Sequence, residues 1–209
     1  MTDAPGLPLA QLRDWLAAGD LSCTVSDALG RGGALSATFR PVWAGACLVG
    51  PAVTVRTFGT DLSAVFDAIA AAERGSVIVI DSHGILNSAF WGERTTRAAL
   101  GRGLAGAVID GACRDVGAVR RLGFPVFSTA ITPNAGLPGG RGAVNVPVQV
   151  GGVPVQPGDL VVADENGVVI VPQAQLQDTV NAVATLLQAE SLLFGSTTDA
   201  QALRPEGDL

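Results

Sequence analysis

The sequence contains no lysine: all thirteen of its basic residues are arginine. A Schiff-base nucleophile and the ammonium of a Walker-type phosphate loop are therefore both missing. Tyrosine is absent as well, and histidine occurs once, as His83. One such chain cannot build a zinc site from several histidines, and Cys23, Cys47 and Cys113 lack the spacing to make up the shortfall. An odd, unpatterned set of thiols reads as reduced and packed in a cytoplasmic protein. No segment reaches the roughly 18 apolar residues of a membrane span, and Met1 to Ala10 lacks the basic start and apolar block of a signal peptide. A net charge of −6 offers no basic face to nucleic acid and reads as a solvated acidic surface. Polar catalysis is left with carboxylate, arginine, hydroxyl groups and an oxygen-bound metal.

What is present describes a globular chain. Forty-eight per cent hydrophobic residues against 15% charged ones give a sizeable core. The 27 glycines and 12 prolines are scattered, so they mark turns rather than low complexity. With no repeat and no linker, residues 1–209 read as a single domain, its tail from about 195 loose or held by a neighbouring subunit.

Leu9, Leu12 and Leu16 predict a short helix, with Pro8 in its first turn and Gly19-Asp20 at its exit. A second helix starts near Thr24-Val25-Ser26-Asp27, capped by Thr24 or Ser26. Alternation predicts a strand at 50–57, and the stripe Leu62, Val65, Phe66, Ile69 predicts a helix over 61–73. Strand 77–80 ends at Asp81-Ser82-His83-Gly84; helix 92–102, strand 106–110, helix 115–122 and strand 125–128 follow. This alternation implies crossover units and a largely parallel sheet. Beyond Pro133 comes a Gly/Pro-rich loop at 134–142, then short strands at 144–150, 153–156, 160–163 and 168–171. They predict an antiparallel sheet packed on the first, closed by a helix over about 173–190.

Two loops fall at the carboxyl edge of the predicted parallel sheet, where ligands bind in such folds. One is Asp110-Gly111-Ala112-Cys113-Arg114-Asp115, read as a turn closing strand 106–110. Arg114 can grip a carboxylate with two donors, and Asp115 can hold a hard cation. Arg114 could equally be an ion-pair partner of Asp110 or Asp115, and Asp115 the N-cap of helix 115–122. The other loop is Phe90-Trp91-Gly92-Glu93-Arg94-Thr95, where free N–H groups at a helix start can donate to an anion. Glu93 suits that first turn as a dipole-complementing acid, the competing account of its presence. His83 could line the same edge but reads as a polar loop residue; Asp159 and Asp164 read as turn residues, Cys113 as packing, and Trp43 and Trp91 as core or interface.

The string GLAGAVIDGACRD, with GER upstream and VNVPVQVGGVPVQPGDLVVADENGVVIVP downstream, resembles the RraA-like / HMG aldolase family from about Thr24 to Pro172. That family comprises class II 4-hydroxy-4-methyl-2-oxoglutarate and 4-carboxy-4-hydroxy-2-oxoadipate aldolases and regulators of ribonuclease E activity. The resemblance implies a swivelling β/β/α-type sandwich. It also implies homotrimers, which can pair further, with active sites between subunits. It puts the acidic residue on Glu93, the substrate-gripping arginine on Arg114, the metal-holding aspartate on Asp115 and the substrate-binding stretch on Gly92, Glu93, Arg94 and Thr95. A glutamate from the neighbouring subunit can complete the site, and Glu190 is its candidate here. Arg94 and Thr95 stand where many members carry apolar residues, and Glu93 where some carry the shorter aspartate. Asp115 is retained, whereas the regulator branch can lose that acid.

The expected reaction is divalent-metal-dependent retro-aldol cleavage of a small 4-hydroxy-2-oxo acid to pyruvate. Without lysine, Mg²⁺ or Mn²⁺ on Asp115 is the available electron sink for the enolate. Arg114 would fix the substrate and stabilise the enolate, and Glu93 would orient the cation through water or relay protons. The same chemistry would decarboxylate oxaloacetate. The alternatives are a non-catalytic regulator binding a ribonuclease through its surface and a stand-alone metabolite-binding module.

Overall fold

The computed structural model describes residues 6–196. Two helices come first, α1 (Gly6–Ala18) and α2 (Ser22–Ala28), then the edge strand β1 (Arg40–Pro41). The crossover series follows: β2 (Leu48–Arg56), α3 (Ser63–Ala71), β3 (Val77–Trp91), α4 (Glu93–Arg102), β4 (Gly106–Cys113), α5 (Val116–Arg121) and β5 (Val126–Ile131). Short strands complete the chain: β6 (Ala143–Val144), β7 (Val148–Val150), β8 (Val153–Val155), β9 (Leu160–Asp164) and β10 (Gly167–Val171). After a single 3₁₀ turn, α6 (Leu176–Ser196) closes it. The predicted loose tail from about 195 lies almost wholly outside the described residues.

The predicted crossover units are present: β2, β3, β4 and β5 are parallel neighbours in that order. Two cores cover the two faces of this sheet. On one side α3, α4 and α5 pack over Ile78, Ile80, Ala107, Ile109 and Val126, with Phe90, Trp91 and Phe124 buried among them. On the other, Val77, Val79, Val108 and Phe127 meet Val148, Val150 and Val155 of β7 and β8, a separate antiparallel pair.

β2 takes part in three ladders, one of them the short antiparallel pairing of Val55 and Arg56 with β6. Leu48–Pro51 pairs antiparallel with β9, while Ala52–Arg56 pairs parallel with β3. The β9–β10 hairpin thereby continues the main sheet, and a third core forms where α1, α2 and α6 pack on Val162, Val169 and Val171.

Several sequence expectations need correction. β3 does not stop at Ile80 but runs to Trp91, with register shifts against β4 after Asp81, Ile85 and Ala89. His83 and Gly84, with φ of 57° and 69°, carry an exposed bulge out of the ladder before the chain returns to β4. Asp110-Gly111 is likewise not a turn, because β4 continues to Cys113. Gly111 is there for close approach: a Cβ on it would lie 2.3 Å from Ser82 Oγ and 3.0 Å from the Ile85 carbonyl. Neither Thr24 nor Ser26 caps α2, which starts at Ser22 with no cap bond from its own segment. The Asp164 carboxylate accepts the N–H groups of Leu21 and Ser22 at 2.8 and 2.7 Å and the Ser22 hydroxyl at 2.7 Å. Strand 144–150 is broken by Asn145, at φ 54°, and by Pro147, which has no N–H to donate. Of the three unpaired thiols only Cys113 is packed; Cys23 and Cys47 are exposed.

Candidate functional site

The C-terminal ends of β3 and β4 lie side by side, Trp91 opposite Cys113, and deliver the chain into α4 and α5. The main-chain N–H of Arg114 donates to the Trp91 carbonyl at 2.9 Å, tying the two exits together. Trp91 is buried, stacks on Phe124 with ring centroids 5.8 Å apart, and donates from Nε1 to Thr96 Oγ1 at 2.9 Å. This aromatic anchor fixes the height at which α4 begins.

At the start of α4 the Thr95 hydroxyl folds back on Gly92, accepting from its N–H and meeting its carbonyl, both at 2.9 Å. The first helical bond runs from Thr96 N to the Gly92 carbonyl. The N–H groups of Glu93, Arg94 and Thr95 therefore precede the helical ladder and remain donors for other acceptors. One acceptor is Asp115, whose Oδ2 takes the Glu93 N–H at 3.1 Å.

Arg114 is half-buried and Asp115 exposed, and their side chains pair through Nε and Oδ2 at 3.4 Å. Of the open alternatives for Arg114, the structure selects Asp115 over Asp110. Asp115 also stands at the N-cap of α5, at φ 54° and without a side-chain cap bond, so its carboxylate is turned to the cleft instead. Gly92 is required by proximity: a Cβ there would lie 2.7 Å from Asp115 Oδ2 and 3.0 Å from Arg114 Cγ.

These residues line a cleft of about 150 Å³, below the roughly 300–1,000 Å³ of sites for drug-sized ligands. Gly92, Arg94, Thr95, Arg114 and Asp115 provide its polar parts, and Phe66, Phe90 and Leu137 are among its apolar walls. Four of the predicted substrate-binding residues are thus brought together. Glu93 is placed differently: its carboxylate leaves the cleft wall to meet Arg97, 2.7 Å from Nη2 and 2.8 Å from Nε. Glu190 is exposed on α6, which packs on α1 and α2, and does not reach this cleft within one chain. His83 is exposed beside Asp81, which accepts its main-chain N–H at 2.9 Å, and it too lies off the cleft lining.

Asp61 and the 136–138 wall were not singled out by sequence. Asp61 Oδ1 accepts the N–H groups of Ser63 and Gly139 at 2.8 and 2.9 Å, and Oδ2 that of Arg141 at 2.9 Å. The Gly139 N–H foremost, then that of Ser63, hold its carboxyl well below the usual carboxylate range against the opposing effect of burial. This one side chain pins the loop carrying Gly136, Leu137 and Pro138 onto the start of α3. The Asp-Leu-Ser run before a helical stripe is a recognisable helix-start signal; its partners some 80 residues on are not.

Two further carboxylates, Asp159 and Asp164, are structural. Asp164 is pushed up by burial, but Ser22 and the neighbouring N–H groups outweigh this and leave it below its ordinary value. Asp159 accepts the N–H groups of Gln156 and Gln173 at 2.8 and 3.0 Å. Burial raises the Cys113 thiol to about 12, as a packed, inert sulfur requires. Among the described residues no group of three or more His, Cys, Asp or Glu side chains could hold a metal. Asp115 is a single exposed carboxylate with Oδ2 engaged by the Glu93 N–H and Arg114, a donor set that suits a hard cation completed by water and substrate and does not suit a closed protein cage.

A parallel sheet flanked by helices, carrying an arginine–aspartate pair and a helix start at its carboxyl edge, defines a mixed α/β protein with a small cleft at that edge. The chain matches the family described as RraA-like: Aldolase/RraA over residues 22–170, and it belongs to that family. A protein of Halalkalibacterium halodurans, named as a candidate 4-hydroxy-4-methyl-2-oxoglutarate aldolase, is 42% identical over 151 residues, 72% of each chain. The 4-hydroxy-4-methyl-2-oxoglutarate aldolase of Thermus thermophilus is 34% identical over 71% of this chain and 90% of its own. Among solved structures, Streptomyces coelicolor RraAS2, described as an unusual member of the RNase ES inhibitor RraA family, superposes with a TM-score of 0.79. It is 28% identical, over 93% of this chain and 98% of that one.

Proposed function

We propose that the cleft cleaves a small 4-hydroxy-2-oxo acid by a retro-aldol reaction. The observation that carries this reading is the Arg114–Asp115 pair set beside the start of α4, where the N–H groups of Arg94 and Thr95 precede the helical ladder, in a small cleft with apolar walls. The C3–C4 bond breaks, its electron pair enters a pyruvate enolate, and C4 loses its hydroxyl proton to become a carbonyl. Protonation at C3 then yields pyruvate. Arg114 and the N–H groups of Arg94 and Thr95 hold the 2-oxo acid's carboxylate and face the charge that grows on the enolate oxygen. A Mg²⁺ or Mn²⁺ ion held by Asp115 and the substrate would supply further positive charge to that oxygen. Glu93 serves as the second acid; its exposed pair with Arg97 is of the kind that contributes only about 0.3–0.5 kcal/mol and is cheaply released. Oxaloacetate, which yields the same enolate on losing carbon dioxide, is a second substrate.

Pyruvate release coupled to lactate dehydrogenase, over a panel of 4-hydroxy-2-oxo acids and oxaloacetate, tests this. Turnover should require added Mg²⁺ or Mn²⁺ and stop with chelator. Full activity in Arg114→Ala or Asp115→Ala would refute the site.

We further propose that the protein is a single-domain cytoplasmic homotrimer whose sites lie at subunit boundaries. Phe58, Leu86, Ile131 and Leu137 stand exposed, Leu137 on the cleft itself. They offer an apolar surface for a neighbouring copy, whose Glu190 would complete the site. Light scattering of the purified chain checks the trimer. No helix among the described residues is long and apolar enough to cross a membrane.

The likeness to RraAS2 favours a second reading, a regulator that binds a ribonuclease without turnover. A pull-down with the ribonuclease, beside the pyruvate assay, separates the two.

A further inference from the structure

Besides Arg114, a second guanidinium lines the cleft. Arg94 stands on the first turn of α4 with its Cζ 4.9 Å from the centre of the Phe66 ring. The aromatic face holds the planar cation in place without neutralising it. Among the described residues, ion pairs join His83 to Asp81, Arg97 to Glu93 and Arg114 to Asp115, and none involves Arg94. Arg114 shares its charge with Asp115, whereas Arg94, an exposed residue on the cleft lining, has no carboxylate within ion-pair distance among the described residues. The walls around it are Leu62, Phe66, Leu137 and Pro138. These would hold an apolar substrate tail equally well without a cation.

We infer that Arg94 is the specificity residue for the far end of the substrate, selecting 2-oxo acids whose distal group is an anion over those whose distal group is neutral. This rests on the reading that the cleft binds a 2-oxo acid, with Arg114 and the α4 N–H groups taking the near carboxylate. The distal carboxylate meets a planar donor group already oriented by Phe66, so little side-chain freedom is lost on binding. A ligand ending in a methyl group leaves that guanidinium to solvent and gains nothing from it.

The test compares binding of 2-oxoglutarate with that of 2-oxopentanoate, which carries methyl where the other carries the distal carboxylate. Titration calorimetry on the full chain should show 2-oxoglutarate bound about tenfold more tightly, the value of one hydrogen bond to a charged group. In Arg94→Met, which keeps an unbranched stem over Phe66, the ratio of the two dissociation constants should fall to within about twofold of one. Arg94→Lys should retain part of the preference, since the charge stays and the planar fork goes. Equal binding of both ligands by the unaltered protein, an unchanged ratio in Arg94→Met, or no binding of either ligand would overturn the inference. Pyruvate release from 4-hydroxy-2-oxoglutarate and from 4-hydroxy-2-oxopentanoate is measured in parallel. An Arg94-dependent binding preference without turnover would sustain the role of Arg94 and refute the proposed cleavage. Turnover of both substrates with no such preference would do the reverse.

Discussion

One oxygen of Asp115 accepts the main-chain N–H of Glu93, at 3.1 Å, and forms an ion pair with the guanidinium of Arg114, Nε lying 3.4 Å away. The start of α4 and the exit of β4 are joined there by a side chain that also faces the cleft. Any change that moves one loop is transmitted to the other through this atom.

Gly92→Ala is therefore expected to damage function more than folding. The added methyl would sit 2.7 Å from that same Asp115 oxygen, and inserted atoms of this kind cost about 1–3 kcal/mol where the surroundings cannot yield. Here the yielding groups are the Arg114 and Asp115 side chains. Pyruvate release should fall at least about tenfold, with a melting temperature close to that of the unaltered protein. Steady-state kinetics beside calorimetric unfolding checks this.

Arg114→Ala and Asp115→Ala should each lower kcat by about a hundredfold or more, the usual loss when a group facing developing charge is removed. Arg114→Lys keeps the charge and loses the fork, so it should recover only part of the rate.

Loss of Asp61 should free the wall of the cleft. In Asp61→Ala the amides of Gly139 and Arg141 lose their acceptor, and hydrogen exchange there should accelerate with KM rising alongside. The carboxyl sits below its ordinary range when folded. Its contribution is hence complete above the unfolded value of about 4 and is lost progressively as pH falls below it. Protection of those two amides, measured against the intrinsic exchange rate at each pH, should fall from about pH 4 downward in the unaltered protein and show no such step in the variant.

The thiols should divide two to one. Cys23 and Cys47 are exposed, while Cys113 is buried and raised to about 12. Iodoacetamide at pH 8 should alkylate the first two in the native protein and reach Cys113 only after unfolding, which intact-mass measurement reads directly.

Asp164→Ala should destabilise the fold by about 1–3 kcal/mol by leaving buried N–H groups at the start of α2 without their acceptor. Chemical denaturation would show it, and the cleft, lined by none of these residues, should keep its substrate preference.

The crossover units were legible because buried parallel strands and amphipathic helices each leave a periodic trace, and the strand ends marked where Arg114, Asp115 and Gly92 would meet. The trace failed where polar residues sit inside a ladder. Asp81 to Asn87 and Asp110-Gly111 carry the composition of turns, yet β3 and β4 run through them, held by cross-strand bonds such as that from the Ser82 hydroxyl to the Asp110 carbonyl. Asp164 capping α2 from 142 residues away, and Asp61 fixing a loop 78 residues further on, leave no local mark at all. Glu93 illustrates the opposite limit: it opens α4, as the helix-start signal predicts, but its side chain is turned toward Arg97, four residues along the same helix.

Asp115 holds its carboxylate from a left-handed backbone, a conformation that costs a residue with a Cβ about 1–2 kcal/mol and glycine almost nothing. Selection for heat resistance alone would drift toward glycine at this position, gaining stability while discarding the carboxylate. A laboratory evolution experiment scored only on melting temperature should thus produce hardier proteins that have lost the carboxylate facing the cleft.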